Sequence, residues 1–203
     1  MKSLSEIETI SKRSTKAAGF PWGVAEEVGK NIRMLEMFGI TGISNLNFYF
    51  KIKEKKNFEK LNIISNENKS VTLEFCPIVA GLNFLDQVRS LESFGRISFE
   101  NMAFPLLFLP FVSRASEVIG KKLLLEIDSR VFLLNYNTSI FSNFIDNGIV
   151  EIGNNISIKF KENLDSFKES EWSELYKLSE NTFVEENESL KNIGAGAGLT
   201  DND

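Results

Sequence analysis

The fold is organised around the stretch Gly19-Phe20-Pro21-Trp22-Gly23-Val24-Ala25-Glu26-Glu27-Val28-Gly29. A glycine at position 19 can take the positive φ that ends a helix, and a proline at position 21 fixes φ near the value that begins the next one. The chain therefore reverses within about five residues. We predict a helical hairpin, with a first helix ending near residue 18 and a second helix from about Gly23 to Phe38.

Two adjacent carboxylates, Glu26 and Glu27, lie near the start of the second helix. The positive end of the helix dipole favours such charges by about 0.3–1 kcal/mol, which is a purely structural interpretation. Helical periodicity separates the two residues, because Glu26 lies with Lys30 opposite the apolar stripe whereas Glu27 lies at its edge. The stripe consists of Val24, Val28, Ile32 and Leu35.

Partial burial of Glu27 would raise the pKa of its carboxyl group, and a raised pKa suits general acid or base chemistry. We therefore predict that Glu27, and not Glu26, is the catalytic carboxylate of the hairpin. Glu26 is expected to be solvated and to pair with Lys30 four residues later.

The first helix carries a basic face that should lie beside these carboxylates. The turn places Arg13 and Lys16 within reach of Glu26 or Glu27, as surface ion pairs worth about 0–1 kcal/mol or as part of a substrate-binding cluster. We expect Trp22 to be anchored in the core or in a pocket wall. Its removal as Trp22→Ala should then cost about 3–5 kcal/mol.

The second candidate site is the glycine-rich tail from Gly194 to Asp203. Glycines such as Gly196 and Gly198 permit close backbone approach to a ligand, and Asp201 and Asp203 add carboxylates. One interpretation is a frayed terminus. The other is an ordered tail that contributes Asp201 to catalysis and Gly196, Gly198 and Asp203 to substrate binding. An ordered tail would fold back onto the hairpin or insert into a neighbouring subunit of a homo-oligomer, where its acids meet Arg13, Lys16 or a divalent cation.

The sequences of several stretches resemble those of an uncharacterised bacterial family, a domain of unknown function. The stretches are Arg13 with Lys16-Ala17-Ala18-Gly19, Trp22 to Gly29, Cys76-Pro77 with Ala80-Gly81 and Asp86, Pro105 to Phe111, and Gly194 to Asp203. The resemblance spans nearly the whole chain and departs from the expected pattern at Thr15 and Lys16. It implies that the tail belongs to the family's motifs, and it implies no activity.

Composition restricts the chemistry that is open to this chain. Its 203 residues include no histidine and a single cysteine, Cys76, so neither a Ser-His-Asp nor a Cys-His pair can form within it. The formal net charge of −5 disfavours a nucleic acid partner. The longest apolar run, Met102 to Val112, is shorter than the roughly 20 residues of a membrane helix. The polar N-terminus lacks a signal-peptide pattern, so we expect a cytoplasmic protein with an inert, packed Cys76 thiol.

The remaining segments predict an α+β fold in a single domain, residues 1–203. Residues 1–53 form its helical part, 54–164 a mixed part with mostly antiparallel strands, and 165–203 a C-terminal helix and the glycine-rich tail. Strands are predicted at 61–64, 71–75, 96–102, 122–127, 130–135, 148–152 and 156–161, and further helices at 41–53, 78–90, 111–119 and 165–181.

Two classes of function fit these features. The first is a small-molecule metabolic enzyme or enzyme subunit that uses carboxylates of the hairpin and tail, alone or with a divalent cation held by oxygen ligands. The second is a non-catalytic accessory or ligand-binding protein whose tail docks into a partner. The absence of histidine favours the second class, whereas the paired carboxylates favour the first. We expect the enzyme.

Overall fold

The computed structural model describes residues 2–144 and 148–182, which contain six α-helices and one mixed six-stranded sheet. The protein is therefore α+β. Two compact units are present, Met1–Asn163 and Leu164–Asp203, and the whole sheet lies in the first.

The helices of the first unit include the expected hairpin. Ser3 caps the first helix through a reciprocal capping box with Glu6, and Gly39 and Gly120 follow the second and fifth helices with positive φ. The five helices are α1 (Leu4–Ala17), α2 (Trp22–Met37), α3 (Gly42–Lys53), α4 (Pro77–Leu91) and α5 (Leu109–Ile119). All five helices that the sequence predicts in this unit are confirmed.

The sheet is antiparallel apart from one short parallel edge strand. Its order is β1-β2-β6-β3-β4-β5, and only β1 pairs in parallel, with β2. The strands are β1 (Glu67–Asn68), β2 (Arg96–Ala103), β3 (Lys122–Ile127), β4 (Arg130–Asn135), β5 (Ser139–Ser142) and β6 (Ile152–Lys161).

The core lies between the sheet and the helices. Strand residues alternate, so that one face of β2, β3, β4 and β6 is buried, for example at Phe99, Leu125 and Ile158. Helices α4 and α5 pack on this face, and both contribute fully buried phenylalanines, Phe84 and Phe111. The hairpin and α3 join the same hydrophobic cluster.

Three strand predictions are wrong. Residues 61–64 form no strand, and 71–75 contribute only bridges at Phe75, because side-chain and backbone groups of this loop bond to Glu59, Asn101 and α4 in place of a ladder. The predicted strand at 148–152 is absent, since pairing begins at Ile152 and β6 runs unbroken through Asn154 and Asn155. Strand β5 was not predicted, because its short sequence, Ser-Ile-Phe-Ser, has little strand signal.

The second unit contains helix α6 (Glu169–Glu180). It is shorter than the predicted 165–181, and all of its side chains are exposed. Phe167 stacks on Trp172 with a centroid distance of 5.6 Å.

Candidate functional site

The α1–α2 turn is built as the sequence predicts. Gly19 has φ +92°, and the N–H groups of Gly19 and Phe20 donate to the carbonyls of Lys16 and Thr15, at 3.1 and 3.3 Å. The two helices then pack closely, because a Cβ at Gly29 would lie only 2.9 Å from the Glu8 carbonyl oxygen. The turn is therefore held by backbone bonds and by close helix contact.

The two carboxylates of α2 differ in exposure as predicted. The Glu27 side chain is 21% exposed and the Glu26 side chain 50%. Glu27 Oε1 accepts from Lys30 Nζ at 2.9 Å, and its Oε2 accepts from the guanidinium of Arg114 on α5. Glu27 thus links α2 to α5 through a three-residue ion cluster, which we call the Glu27 cluster: Glu27, Lys30 and Arg114.

The predicted raised pKa of Glu27 is wrong. Partial burial acts to raise it, but the hydrogen bonds and positive charges of Lys30 and Arg114 together outweigh burial and hold the pKa below its usual range. Glu27 is therefore ionised at neutral pH. It lacks the proton that a general acid needs, and its affinity for a proton is too low for an effective base.

The expected ion pairs of the hairpin are formed by other residues. Glu26 pairs with Lys12 at 2.6 Å, and not with Lys30, which bonds to Glu27. Among the described residues, no carboxylate lies within 4.0 Å of Arg13 or Lys16. Because α2 begins at Trp22, Glu26 and Glu27 also fall beyond its first turn, where the dipole effect is strongest.

Trp22 is not anchored in the core, which corrects the prediction. It is 54% exposed, and its ring has Lys12 Nζ and Lys16 Nζ at 5.8 and 5.6 Å from the centroid. The buried aromatic residue of the turn is Phe20, with 8% exposure.

Beneath the turn lies a cavity of about 380 Å³, bounded by the turn, α3, the loop after α3 and α4. Its apolar walls come from Phe20, Val24, Phe58, Val79 and Leu82. Ligand pockets typically have about 300–1,000 Å³ and such mostly apolar walls. We call this space the turn cavity.

Two buried polar groups lie in the wall of the turn cavity. The Tyr49 hydroxyl and the Cys76 thiol share a hydrogen bond of 3.1 Å. Burial raises the pKa of Cys76, against the opposing effects of Tyr49, the α4 N-terminus and Lys53, and burial also raises the pKa of Tyr49. Both groups are neutral at physiological pH, so Cys76 is the packed thiol that its apolar sequence setting predicts.

Two lysines line the turn cavity, Lys53 and Lys60, and sequence reasoning missed both; Lys53 is half-buried and Lys60 is exposed. Lys53 Nζ donates to the Ala18 carbonyl oxygen at 3.0 Å and lies 5.2 Å from the centroid of the Phe20 ring. No carboxylate in the described part of the chain lies within 4.0 Å of this ammonium group. The only sequence signal was the i,i+4 spacing of Tyr49 and Lys53, which places both on one face of α3.

A second hollow, of about 360 Å³, lies on the polar face of the sheet. Its walls are mostly polar and charged, and several of these groups bond to one another, since Glu126 accepts from Ser157 and Lys159, and Lys69 pairs with Glu100, whereas the turn cavity has mostly apolar walls. Residues 2–144 and 148–182 contain no group of three or more potential metal-ligating acidic or cysteine side chains. We therefore regard the turn cavity as the better candidate site.

Four predicted site residues, Gly196, Gly198, Asp201 and Asp203, lie outside the described residues. The divalent cation was expected beside the last two of them, so its predicted site falls in the same part of the chain. Of the predicted set, Trp22 and Lys16 lie together on the hairpin surface, whereas Glu27 belongs to a separate cluster with Arg114. None of these three lines the turn cavity.

One part of this α+β protein, its helical hairpin with α3 and the following loop, is similar to a known family. Residues 2–75 match the model of a family described as protein of unknown function (DUF3726). The match confirms the resemblance over α1, α2, α3 and the following loop, while the later motifs lie beyond it. No curated protein and no solved structure is significantly similar to the chain. No helix in the described ranges is both long and apolar enough to span a membrane.

Proposed function

We propose that this protein binds, without chemically transforming it, a small molecule that has an apolar body and one anionic group, and that the turn cavity is the binding site. The observation that carries the proposal is Lys53. Its ammonium group is held at an apolar wall by a carbonyl and an aromatic ring, with no carboxylate of the described residues to neutralise it.

The walls support the apolar part of the ligand. Phe20, Val24, Phe58, Val79 and Leu82 offer aliphatic and aromatic surface, whose burial contributes about 25 cal/mol per Å². An anionic group placed beside Lys53 would gain a charge-assisted hydrogen bond in partly desolvated surroundings. Apolar walls with one fixed polar contact are the usual composition of a specific small-molecule site.

Among the described residues, the candidate groups favour binding over carboxylate catalysis. Glu27 is ionised and lies outside the turn cavity, while Cys76 and Tyr49, which line it, are neutral. A neutral buried thiol is a weak nucleophile, and a neutral buried phenol is a poor base. The geometry thus fits the second of the two functional classes better than the first.

The direct test is calorimetric titration with octanoate and with octanamide, its neutral analogue. We expect octanoate to bind and octanamide to bind at least tenfold more weakly. Lys53→Met should reduce octanoate affinity at least tenfold and leave octanamide affinity nearly unchanged. The matched control is Lys51→Met, because Lys51 lies on the same helix and also contacts a ring, that of Phe48, away from the cavity.

Equal affinity for the acid and the amide would contradict the role of Lys53. A panel extended to aromatic carboxylates such as cinnamate covers a different apolar shape. If no member of either series binds at millimolar concentration, the proposed ligand class is wrong.

The single cysteine, Cys76, allows a test of where the ligand binds. Iodoacetamide should alkylate Cys76 slowly, and saturating octanoate should slow it further, because the thiol faces the turn cavity. Labelling is followed by intact mass. An unchanged rate under saturation would place the ligand elsewhere.

A further inference from the structure

The outer side of the hairpin presents a surface that the turn cavity does not use. We call it the apex surface and define it by Lys12, Arg13, Lys16 and Trp22. Trp22 is 54% exposed, although covering a tryptophan side chain removes about 150–250 Å² from water. Tryptophan and arginine are the residues most enriched in the energetic centres of protein interfaces.

The apex surface is also positively charged. Lys12 is neutralised by Glu26 at 2.6 Å, whereas Arg13 and Lys16 have no carboxylate within 4.0 Å among the residues the structure describes. Lys16 is at the same time held over the Trp22 ring at 5.6 Å. One uncompensated cation, Lys16, therefore lies beside the exposed ring, and Arg13 lies three residues before it on α1, on a protein whose net charge is −5.

A partner that fits this surface must carry two carboxylates and an apolar side chain on a backbone with little bulk. The sequence itself contains such a segment, Leu199-Thr200-Asp201-Asn202-Asp203, preceded by glycines at 194, 196 and 198. Leu199 matches the Trp22 ring, and Asp201 and Asp203 match Arg13 and Lys16 in number and in sign.

We propose that the apex surface binds residues 199–203 of a second copy of this chain. Each copy then supplies one surface and receives one segment, so the exchange closes as a two-fold dimer in which the same interaction forms twice. This inference does not depend on the turn cavity, and either can fail alone.

The first test is the oligomeric state of the full chain by sedimentation velocity across concentration. We expect a monomer–dimer equilibrium that weakens with added salt, because the matched charges are exposed. Asp201→Asn combined with Asp203→Asn should raise the dimer dissociation constant at least tenfold. The control is Glu185→Gln combined with Glu188→Gln, which makes the same change in net charge and should leave the constant within twofold.

Charge exchange tests which groups meet. Lys16→Glu and Asp201→Lys should each weaken self-association, because each opposes like charges. A mixture of the two variants should form a heterodimer of near wild-type affinity, since every surface then meets a segment of opposite charge. Circular dichroism checks that both variants are folded, which exposed positions should permit.

Several results would overturn the proposal. A wild-type chain that stays monomeric at every concentration overturns the proposal, as does a dimer that tolerates all of these substitutions. Variants that fail to form heterodimers would indicate docking within one chain or another partner, and would also overturn it. In a Trp172→Phe background, dimer formation should shift Trp22 emission to shorter wavelength, and an unchanged spectrum would place the interface away from the apex surface.

Discussion

Two partly buried charges in this protein have opposite surroundings. Glu27 is an anion that meets two cations, Lys30 and Arg114, whereas Lys53 is a cation that meets a carbonyl oxygen and an aromatic ring. The first charge is neutralised by the fold and joins two helices. The second has no carboxylate of the described residues within 4.0 Å, and it faces a cavity. Both charges are partly buried, so what distinguishes a structural charge from a candidate binding group here is whether a group of opposite charge lies beside it.

The largest expected effect on stability is that of removing Phe20, whose ring packs beside the uncompensated Lys53. Because Phe20 is buried and contacts the Lys53 ammonium group, Phe20→Ala should lower the free energy of unfolding by about 3 kcal/mol. Trp22→Ala should cost less than about 1 kcal/mol, since it loses only exposed cation–π contacts. Urea unfolding of both variants measures the difference. Equal losses would mean that the turn has two anchors.

Arg114→Met tests the compensated charge. Removing Arg114 leaves Glu27 with only Lys30, and we expect a loss of about 2 kcal/mol, between the values typical of exposed and buried pairs. Lys30→Met, which removes the more exposed partner, is the matched control and should cost clearly less. A greater loss for Lys30→Met would show that the α2–α5 link contributes little.

Lys53→Met tests the uncompensated charge without ligand. It removes one hydrogen bond to the Ala18 carbonyl and leaves no buried anion behind, so we expect a loss of about 1 kcal/mol. Differential scanning fluorimetry and urea unfolding both apply. A loss larger than that of Arg114→Met would reverse the comparison, because Lys53 would then be the more structural of the two residues.

Sequence periodicity predicted the hairpin, the apolar stripe of α2 and the unequal exposure of Glu26 and Glu27, because these depend on local geometry. It failed on Arg114 and Lys53, whose roles arise from contacts 87 and 35 residues distant along the chain. It also assigned the buried ring to Trp22 in place of Phe20. Both rings lie next to Pro21 in the sequence, and only packing against α3 and α4 decides which one turns inward.

The smallest expected effect is the pH dependence of the Glu27 contribution. The pKa of Glu27 in the folded protein lies below its ordinary value of 4.5, so its stabilising effect is fully present above pH 4.5 and is lost as pH falls through the folded pKa. The difference in unfolding free energy between wild type and Glu27→Gln should therefore be constant from pH 7 to about 4.5 and shrink below it.

Glu26→Gln is the control for that measurement, because Glu26 also has a lowered pKa but is exposed and bonds only to Lys12. Its difference from wild type should be small throughout the same range. A raised pKa at Glu27 would give the opposite result, because protonation above pH 4.5 would then relieve a buried charge and wild type would gain stability over Glu27→Gln as pH fell from 7. Urea unfolding at half-unit pH intervals separates the two outcomes. If wild type gains stability relative to Glu27→Gln on acidification, Glu27 is again an acid–base candidate. If its stability advantage is lost only below pH 4.5, Glu27 is the anion that holds α2 to α5.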